Sequence, residues 1–332
     1  MIILIPHLFP DLRLLEAATH NIKVPALETL LTRGKLQTCP AEGTEAALCS
    51  LLGIPRQQDW PIAPITLESD GEAAHGAYWL RADPVHMSVM RDRIVLAGGQ
   101  IINLSQAESE ALARTITEHF GTALHLLPLH PERWYLRYAQ PPRLRTTPLS
   151  VAAGRDIQLH LPQGEDAPQF RSLLNEIQML LYDHPVNQAR ESRGELPVNA
   201  LWLWGGGVRP HAVDTSGNLF AHEASARALG AFCNLQINQP PSHWTRSSAA
   251  NMDRIVLDTL TPAGQCGDAY GWRSALISLE ELWFAPLLAS LGTLGPSGLQ
   301  LIDPVNGQML HVTRTDAWKI WRRPKKLASI TR

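Results

Sequence analysis

The stretch "PAEGTEAALCSLLGIP", residues 40–55, places a hydroxyl at the point where a helix is expected to begin. Thr44 is the predicted N-cap of this short helix, and Gly53 is its predicted C-cap. Before it come "IILI" (residues 2–5), a continuous apolar run typical of a buried parallel strand, and a helix over "VPALETLLTRG" (24–34). This alternation of a buried strand with short capped helices predicts an α/β fold, and it raises the question of whether the hydroxyl is a nucleophile.

The bulk composition is that of a globular protein with a sizeable core. Of the 332 residues, 45% are hydrophobic and 18% are charged, and the formal net charge is -2. A chain so near neutrality is not expected to coat nucleic acid. No run approaches the 18 or so apolar residues of a membrane span, so no span is predicted. The four cysteines have no C-x-x-C spacing, which favours neither a zinc site nor a disulfide framework and predicts a cytoplasmic protein; they are Cys39, Cys49, Cys233 and Cys266.

The pattern of predicted strands and helices changes after residue 68. Residues 77–138 contain four strand-like runs, "AYWLRA", "RIVLA", "ALHLLP" and "RWYLRY", around one helix. That helix opens with a capping box formed by Ser105 and Glu108. A Pro-rich connection then leads to an amphipathic helix over "APQFRSLLNEIQMLL" (167–181). Mixed strands and helices of this kind predict a smaller α+β subdomain.

The chain is expected to return to its core at "NALWLW" (199–204). The glycine run Gly205–Gly207 that follows is interpreted as a tight turn at the carboxyl edge of a sheet, where ligands of α/β proteins bind. The predicted organisation is therefore an α/β core formed by residues 1–68 and 196–332, with an inserted α+β subdomain at 69–195.

The order of several segments resembles the archaeal-type branch of the cofactor-independent phosphoglycerate mutases, in the alkaline phosphatase superfamily. "VPALETLLTRG" resembles the "TPNLDKLAKEG" type of helix in that family. "GTEAALCSLLGIP" resembles its "GSDxAxLxLLGYDP" segment, and "TPAGQCGD" resembles its "DEAGHDGD". The resemblance extends over most of residues 1–285 and implies an alkaline phosphatase-like three-layer core. Some relatives of this degenerate kind carry labels as regulators of pathogenicity factors.

The resemblance also implies a chemistry that can be compared with this chain position by position. The family transfers phosphoryl groups through a phosphorylated serine, which two divalent metal ions activate. Thr44 stands at the serine position and is a chemically viable nucleophile, but a threonine there is also an ordinary helix cap. Glu45 keeps a carboxylate where the family has a metal-binding aspartate, and a first-turn glutamate equally suits the helix dipole.

The metal ligands that the resemblance implies are mostly replaced. Pro6 stands where the first strand should end in aspartate, and Thr261 and Gln265 stand where the family has aspartate and histidine. Asp303 is followed by Pro304 instead of the family's histidine. No metal is therefore expected, with Mn²⁺ or Mg²⁺ as the alternative. The residues that could substitute in an altered site are His7, Asp11, Asp268 and Asp303.

A set of retained polar residues and glycines is predicted to bind a phosphorylated small molecule or another anion in a cleft. The family's substrate-binding arginine after the return strand is here Trp204, so any ligand would be held by other groups. The loop "DHPVNQARESRGELP" is either a positioning loop near the cleft or a solvated helix-to-strand connection. The predicted ligand-binding residues are Glu45, Arg81, His184, Asn187, Arg190, Gly205, Gly206, Gly207 and Arg209.

The C-terminal segment is locally basic. Trp318 and Trp321 lie among its cations, and Asp316 is its one acid. Basic residues interleaved with aromatic ones can bind an acidic protein or nucleic acid, so a protein or nucleic-acid partner is predicted; the alternative is a solvated basic end. The basic residues are Lys319, Arg322, Arg323, Lys325, Lys326 and Arg332.

Two functions of different classes follow from these residues. The first is a phosphoglycerate mutase-like protein that has lost most metal ligands and serves as a non-catalytic binding or regulatory protein. The alternative is a divalent-metal-dependent phosphomutase or phosphohydrolase that uses Thr44 as its nucleophile with an altered metal site. A metal-free protein whose cleft still takes a phosphorylated metabolite cannot be separated from the first by sequence.

Overall fold

A computed structural model describes residues 1–90, 93–98, 101–245, 252–293, 298–324 and 326–327. The strands in these ranges are β1 (Ile2–Leu4), β2 (Lys35–Thr38), β3 (Tyr78–Met90), β4 (Arg93–Gly98), β5 (His125–His130), β6 (Arg133–Tyr138), β7 (Ala200–Val208), β8 (Asn218–Phe220), β9 (Gln236–Asn238), β10 (Arg254–Val256), β11 (Leu299–Asp303) and β12 (Gln308–Val312). The helices are α1 (Leu12–Thr19), α2 (Pro25–Arg33), α3 (Thr44–Leu51), α4 (Ile62–Ser69), α5 (Gln106–Phe120), α6 (Leu149–Ala152), α7 (Ala167–Tyr182), α8 (Pro185–Ser192), α9 (Ala224–Phe232), α10 (Thr261–Cys266), α11 (Ala269–Leu279) and α12 (Ala285–Ser290).

The chain divides into two compact units. The first combines Met1–Leu48 with Asp214–Arg332, and the second is Cys49–Val213. The predicted bounds of the insertion, 69 and 195, fall inside the second unit. The difference arises because α4 and β7, which flank the predicted insertion, both pack on β3 within that unit.

The first unit is built on a seven-stranded sheet with the order β2-β12-β11-β1-β10-β8-β9. The five strands from β11 to β9 run parallel, and β12 and β2 add an antiparallel edge. Ile3 lies beside Ile255 on one side and Leu301 on the other, and all three are buried. The short apolar runs form parallel strands here because both of their faces are covered.

Helices cover both faces of this sheet. On one face, Ile3 and its neighbours belong to a core cluster with α1, α2, α11 and α12. On the other face, a Cβ added to Gly230 of α9 would lie 2.6 Å from both Leu219 and Ile237, so that helix packs closely on the sheet. The predicted α/β class with a three-layer core is confirmed.

The second unit contains a five-stranded antiparallel sheet in which β3 is central. The order is β4-β3-β6-β5, and β7 pairs with β3 along its other edge. Its apolar face packs on α5 and α7, and Trp134 and Phe170 are buried there. The predicted capping box of Ser105 and Glu108 opens α5, as expected from sequence.

The prediction that the strand over residues 199–204 returns to the core sheet was wrong. This strand forms β7, which pairs with β3 of the second unit, whereas residues 2–5 belong to the sheet of the first unit. The glycine run is not a turn either, because β7 continues through it to Val208. The register shifts opposite Trp79 and Arg81, so a β-bulge at the glycines was mistaken for the end of the strand.

The helix over Ala269–Thr293 is long and apolar enough to cross a membrane by length and composition alone. Within the first unit, however, Trp272, Leu276 and Leu279 of this helix are buried in the core cluster. A core helix passes the same test of composition. A π-helical turn, Glu280–Phe284, interrupts this helix directly before α12.

A candidate functional site at the carboxyl edge of the first sheet

The carboxyl ends of β1, β10 and β11 lie at one edge of the first sheet because these strands are adjacent and parallel. The chain leaves β1 at His7 and ends β11 at Asp303. The turn before α3 reaches the same edge, where the Gly43 amide donates a hydrogen bond to the Pro304 carbonyl (2.9 Å). Residues that the sequence marked as candidates therefore gather here, at the edge where α/β proteins bind ligands.

Asp303 is fully buried and holds two loops together at this edge. Its Oδ2 accepts hydrogen bonds from the Phe9 amide (2.8 Å) and the Asn306 side-chain amide (3.0 Å). Its Oδ1 accepts from the backbone amides of His7, Val305 and Asn306, each at 3.1 Å. A carboxylate offers about four lone-pair positions, so these five donors engage it completely.

Burial changes the pKa values of two groups at this edge, Asp303 and Cys39. Burial raises the pKa of Asp303 above its ordinary value, although the hydrogen bonds from Phe9, Asn306 and Val305 oppose that shift. Burial, together with the nearby Asp303 carboxylate, also raises the pKa of the Cys39 thiol. Cys39 is therefore held as a neutral thiol and is not an activated nucleophile.

His7 has a left-handed backbone conformation, with φ of 63°, and is buried. Its carbonyl accepts a hydrogen bond from the Trp272 indole (2.8 Å). Its ring lies against α10, so a Cβ added at Gly264 would come within 2.4 Å of Cγ of His7. Gly264 in "TPAGQCGD" is therefore required, because the His7 ring packs directly on it.

Thr261, at the start of α10, stands where the resemblance implied a metal-binding aspartate. Its Oγ1 is buried and has no hydrogen-bond partner among the described residues. A neutral hydroxyl supplies no charge for a divalent cation.

Thr44 and Glu45 begin α3 and are both buried, with 7% and 6% of their surfaces exposed. The expectation that Thr44 is the N-cap is wrong by one residue. The Ala47 amide donates to the Gly43 carbonyl (3.0 Å), so Gly43 precedes the helix and Thr44 is its first helical residue. Gly43 has φ of 94°, which favours glycine at this position.

Asp11 and Asp268, two of the possible substitute ligands, cap helices. Asp11 accepts a hydrogen bond from the Leu14 amide (2.9 Å) at the start of α1. Asp268 accepts from the Gly271 amide (3.0 Å) at the start of α11. Both carboxylates contribute to helix termini and are separate from the bonds that Asp303 makes.

In the second unit, Arg81 lies in a buried ion pair. Its Nε and Nη2 donate to the two oxygens of Asp83, each at 2.9 Å. The guanidinium carbon lies 5.0 Å from the centre of the Trp204 ring, and the Trp204 indole donates to Asp83 (2.7 Å). Trp204, at the family's arginine position, thus completes an internal pair. Arg81 Nη1 is buried without a hydrogen-bond partner in the part of the chain that the structure describes.

A second polar group on the same sheet was missed from the sequence. Arg133 makes a two-pronged ion pair with Asp70 (2.9 and 2.7 Å), and the Tyr135 hydroxyl donates to Asp70 (2.6 Å). The Tyr135 ring also lies under Arg81, 5.4 Å from its guanidinium carbon. The available signal was period-two spacing: Arg133 and Tyr135 share one face of β6, as Arg81 and Asp83 share one face of β3.

The loop "DHPVNQARESRGELP" is held together by the residues predicted to bind a ligand. Arg190 is fully buried and donates to the Leu196 carbonyl (2.9 Å) and to Glu108 (3.0 Å). Asn187 bridges the Leu181 and Val198 carbonyls through its amide nitrogen (2.7 and 2.8 Å).

The remaining predicted ligand-binding side chains of the second unit also have partners within the fold. His184 accepts from the Val186 amide (3.2 Å) as the N-cap of α8, and its Nε2 lies 3.0 Å from the Thr115 hydroxyl. Arg209 pairs with Glu68 (2.6 Å) at the surface. Ligand binding by these residues stays a prediction.

Two of the three glycines of β7 are required for close packing. A Cβ on Gly206 would lie 2.2 Å from the Tyr78 hydroxyl, and one on Gly207 would lie 2.6 Å from Pro61. Gly205 has φ of 65°, which permits the bulge in β7.

No family model matches this chain. It is 27% identical over 201 residues to a probable 2,3-bisphosphoglycerate-independent phosphoglycerate mutase of Geobacter sulfurreducens, a match that covers 57% of this chain and 50% of that protein. It is 42% identical over 64 residues to the enzyme of that name from Methanothrix thermoacetophila, covering 19% and 16% of the two chains.

Among solved structures, a cofactor-independent phosphoglycerate mutase from Thermoplasma acidophilum aligns with 99% of this chain and 94% of its own, at a TM-score of 0.47 and 17% identity. The chain spans about half the length of the first curated relative that it matches. Over part of its length and at modest sequence identity, the chain is similar to 2,3-bisphosphoglycerate-independent phosphoglycerate mutases.

Proposed function

We propose that this chain is a phosphoglycerate mutase-like protein without a functional pair of divalent metals, and that it acts as a non-catalytic binding or regulatory protein. The observation that carries the proposal is the carboxylate of Asp303. It lies at the edge where the resemblance implies metal ligands, yet both oxygens already accept hydrogen bonds from the chain's own amides. A cation could use this carboxylate only if the two loops separated.

The other donors at this edge do not fit a divalent metal pair. Mg²⁺ and Mn²⁺ are held mainly by carboxylate and other oxygen ligands, with charge from aspartate or glutamate. Among the described residues, no group of three or more His, Cys, Asp or Glu side chains is arranged to hold a metal ion. The neutral Thr261 and Gln265 replace an acid and an imidazole that the resemblance implies, so the loss of charge affects more than one ligand position.

A phosphorylated small molecule or a simple anion remains the proposed ligand class. The first amides of an α-helix have no acceptor within the helix, and the helix dipole favours an anion there. In α3 these amides begin at Thr44, directly after the left-handed Gly43. The carboxylate of Glu45 in the same turn opposes a second negative charge, so we expect the affinity for inorganic phosphate to be weak.

The cytoplasm is the proposed location. All four cysteines are free thiols, which suits a reducing compartment.

The alternative is a phosphomutase or phosphohydrolase that uses Thr44 and Mn²⁺ or Mg²⁺. It is favoured by the names of the relatives and by the hydroxyl at the start of α3. It requires Asp303 to release several donors and bind metal, and Thr44 to be reached by substrate.

A coupled assay for the interconversion of 2- and 3-phosphoglycerate, with and without Mn²⁺ or Mg²⁺, tests the proposal. We expect no turnover, because uncatalysed reactions of phosphate monoesters are among the slowest known. Turnover of about 1 s⁻¹ or more that disappears in Thr44→Val would establish the alternative instead. The valine has nearly the shape of threonine and lacks only the hydroxyl, and thermal unfolding of the same variant controls for loss of fold.

A further inference from the structure

Three large apolar side chains near the C-terminus of the first unit extend into solvent. Trp318, Ile320 and Trp321 are 74%, 76% and 73% exposed. Most other tryptophans are buried, and Trp134 and Trp272 are completely so. We call residues 314–324 the tail turn. Clustered exposure of this kind marks an interaction surface more often than isolated exposed residues do.

The tail turn is tied to α2. Its start is fixed by a capping box in which Thr313 and Asp316 bond reciprocally. The Ala317 carbonyl accepts a hydrogen bond from Arg33 (3.1 Å), and Arg322 donates to the Thr32 carbonyl (3.1 Å). The outward direction of the tryptophans is therefore set by contacts on the opposite side of the turn.

These anchors revise the role of the basic residues. Lys319 pairs with Asp316 (2.5 Å), and its Nζ also lies 3.5 Å from the Arg33 carbonyl. Together with Arg322 it places positive charge at the C-terminus of α2, where the helix dipole favours a cation. Lys325 and residues 328–332 lie outside the described residues. Lys319 and Arg322, which were predicted to bind a partner, therefore hold the turn against α2.

The local charge nevertheless remains strongly positive. From position 314 to position 326 the sequence has six basic residues and one acid, whereas the chain as a whole has a net charge of -2. Arg323 is exposed beside Trp321. Exposed apolar side chains in a locally basic segment are complementary to an apolar phase with an anionic surface.

We propose that the tail turn docks on an anionic membrane surface, with Trp318, Ile320 and Trp321 entering the interface between headgroups and acyl chains. Tryptophan is enriched at this depth of a bilayer, and neighbouring basic residues are attracted to anionic lipids. The small area of exposed apolar surface favours a membrane over a protein interface. Two tryptophans and an isoleucine offer roughly 500 Å² of apolar surface, less than the about 800 Å² per partner of a standard protein interface. Ile320 also favours insertion over nucleic-acid binding, because it offers no ring on which a base could stack.

Vesicle co-sedimentation of the full chain tests this proposal. One set of vesicles contains phosphatidylcholine alone, and the other contains phosphatidylcholine and phosphatidylglycerol in equal parts. We expect about tenfold tighter binding to the anionic set, weakened at high ionic strength because surface charges are screened. The variant carrying both Trp318→Ala and Trp321→Ala should lose about tenfold or more of this binding.

Tyr182→Ala is the matched control, because Tyr182 lies on α7 of the second unit and is 79% exposed. It should bind the anionic vesicles like the wild type. Both variants change exposed side chains, and their urea unfolding midpoints should match the wild type. Equal binding to both vesicle sets, or full binding by the double variant, would overturn the proposal. Tighter binding of the same turn to a single-stranded oligonucleotide or to polyglutamate than to anionic vesicles would overturn it as well.

Discussion

Asp303 and Asp83 are both almost completely buried carboxylates, yet the two units satisfy them in different ways. Asp303 accepts only amide hydrogens, most of them from the backbone of the two loops that it joins. Asp83 accepts from a charged guanidinium and an indole. The first carboxylate therefore determines the path of the chain, whereas the second neutralises a cation that would otherwise be buried alone.

This comparison teaches that a buried acid near a sheet edge is not by itself a sign of catalysis. Asp303 could have been a metal ligand by its position at the end of β11. The number of donors around it indicates that its lone pairs are used for structure. Asp83 similarly uses both oxygens on Arg81, which leaves that arginine poorly placed to grip a ligand.

The largest effect should come from breaking the ion pair of the second unit. Asp83→Ala leaves Arg81 buried without its counter-ion, and we expect a loss of about 3–5 kcal/mol in the free energy of unfolding. Urea unfolding measures this loss. The double variant Arg81→Met with Asp83→Leu removes both charges and should recover most of it. A double variant as unstable as the single one would show that the pair itself, and not the isolated charge, supplies the stability.

A smaller loss is expected at the loop junction of the first unit. Asp303→Ala leaves five hydrogen-bond donors without their acceptor. Each buried donor that finds no replacement costs about 1–3 kcal/mol of stability. With water replacing part of the carboxylate's role in the vacated space, we expect a total loss of about 2–4 kcal/mol. Asp268→Ala is the control, because it removes only an exposed helix cap worth about 1 kcal/mol. Equal losses in these two variants would contradict the role assigned to Asp303.

The pH dependence of stability should have opposite signs at Asp303 and Asp70. Burial raises the pKa of Asp303, so its contribution is fully present below the unfolded pKa and is lost as pH rises through the folded one. Burial would also raise the pKa of Asp70, but the hydrogen bonds from Arg133 and Tyr135 lower it overall. Its contribution is present above the unfolded pKa and is lost as pH falls through the folded one.

Urea unfolding between acidic and neutral pH, with Asp303→Asn and Asp70→Asn, measures these contributions. The stability difference between wild type and Asp303→Asn should shrink as pH rises. The difference for Asp70→Asn should grow. Slopes of the same sign in both variants would refute the contrast.

Much of the fold follows from local sequence signals. The capping box of α5 and the strands from β3 to β6 are where periodicity and side-chain chemistry place them. The partner of β7 was wrong because its apolar run suits either sheet, and local pattern carries no information on non-local pairing. The bulge at Gly205 added to this error, since a bulge and a turn both select glycine.

The candidate site was less predictable than the fold. The replacements at Pro6, Thr261 and Gln265 can be read from the sequence once the family resemblance is drawn. The donors around Asp303 cannot, because Phe9 and Asn306 are almost 300 residues apart in the chain. The same holds for Arg190, whose partners come from a distant helix and loop. Long-range hydrogen bonds decided which polar residues serve the fold.

The smallest effect is expected at Tyr78, which sharpens the difference between satisfied and unsatisfied polar groups. Its hydroxyl is buried and has no hydrogen-bond partner within the described ranges, whereas the Tyr135 hydroxyl donates to Asp70 (2.6 Å). Burial raises the pKa of both phenols, so both remain neutral near pH 7.

Tyr78→Phe removes a polar atom that gains nothing from the fold, and we expect stability within about 0.5 kcal/mol of wild type or slightly above it. Tyr135→Phe is the matched control and should cost about 1.5–3 kcal/mol, because its bond is to a charged group. If urea unfolding gave the larger loss for Tyr78→Phe, the Tyr78 hydroxyl would have to be bonded in solution, and it could no longer serve as the unsatisfied member of the pair.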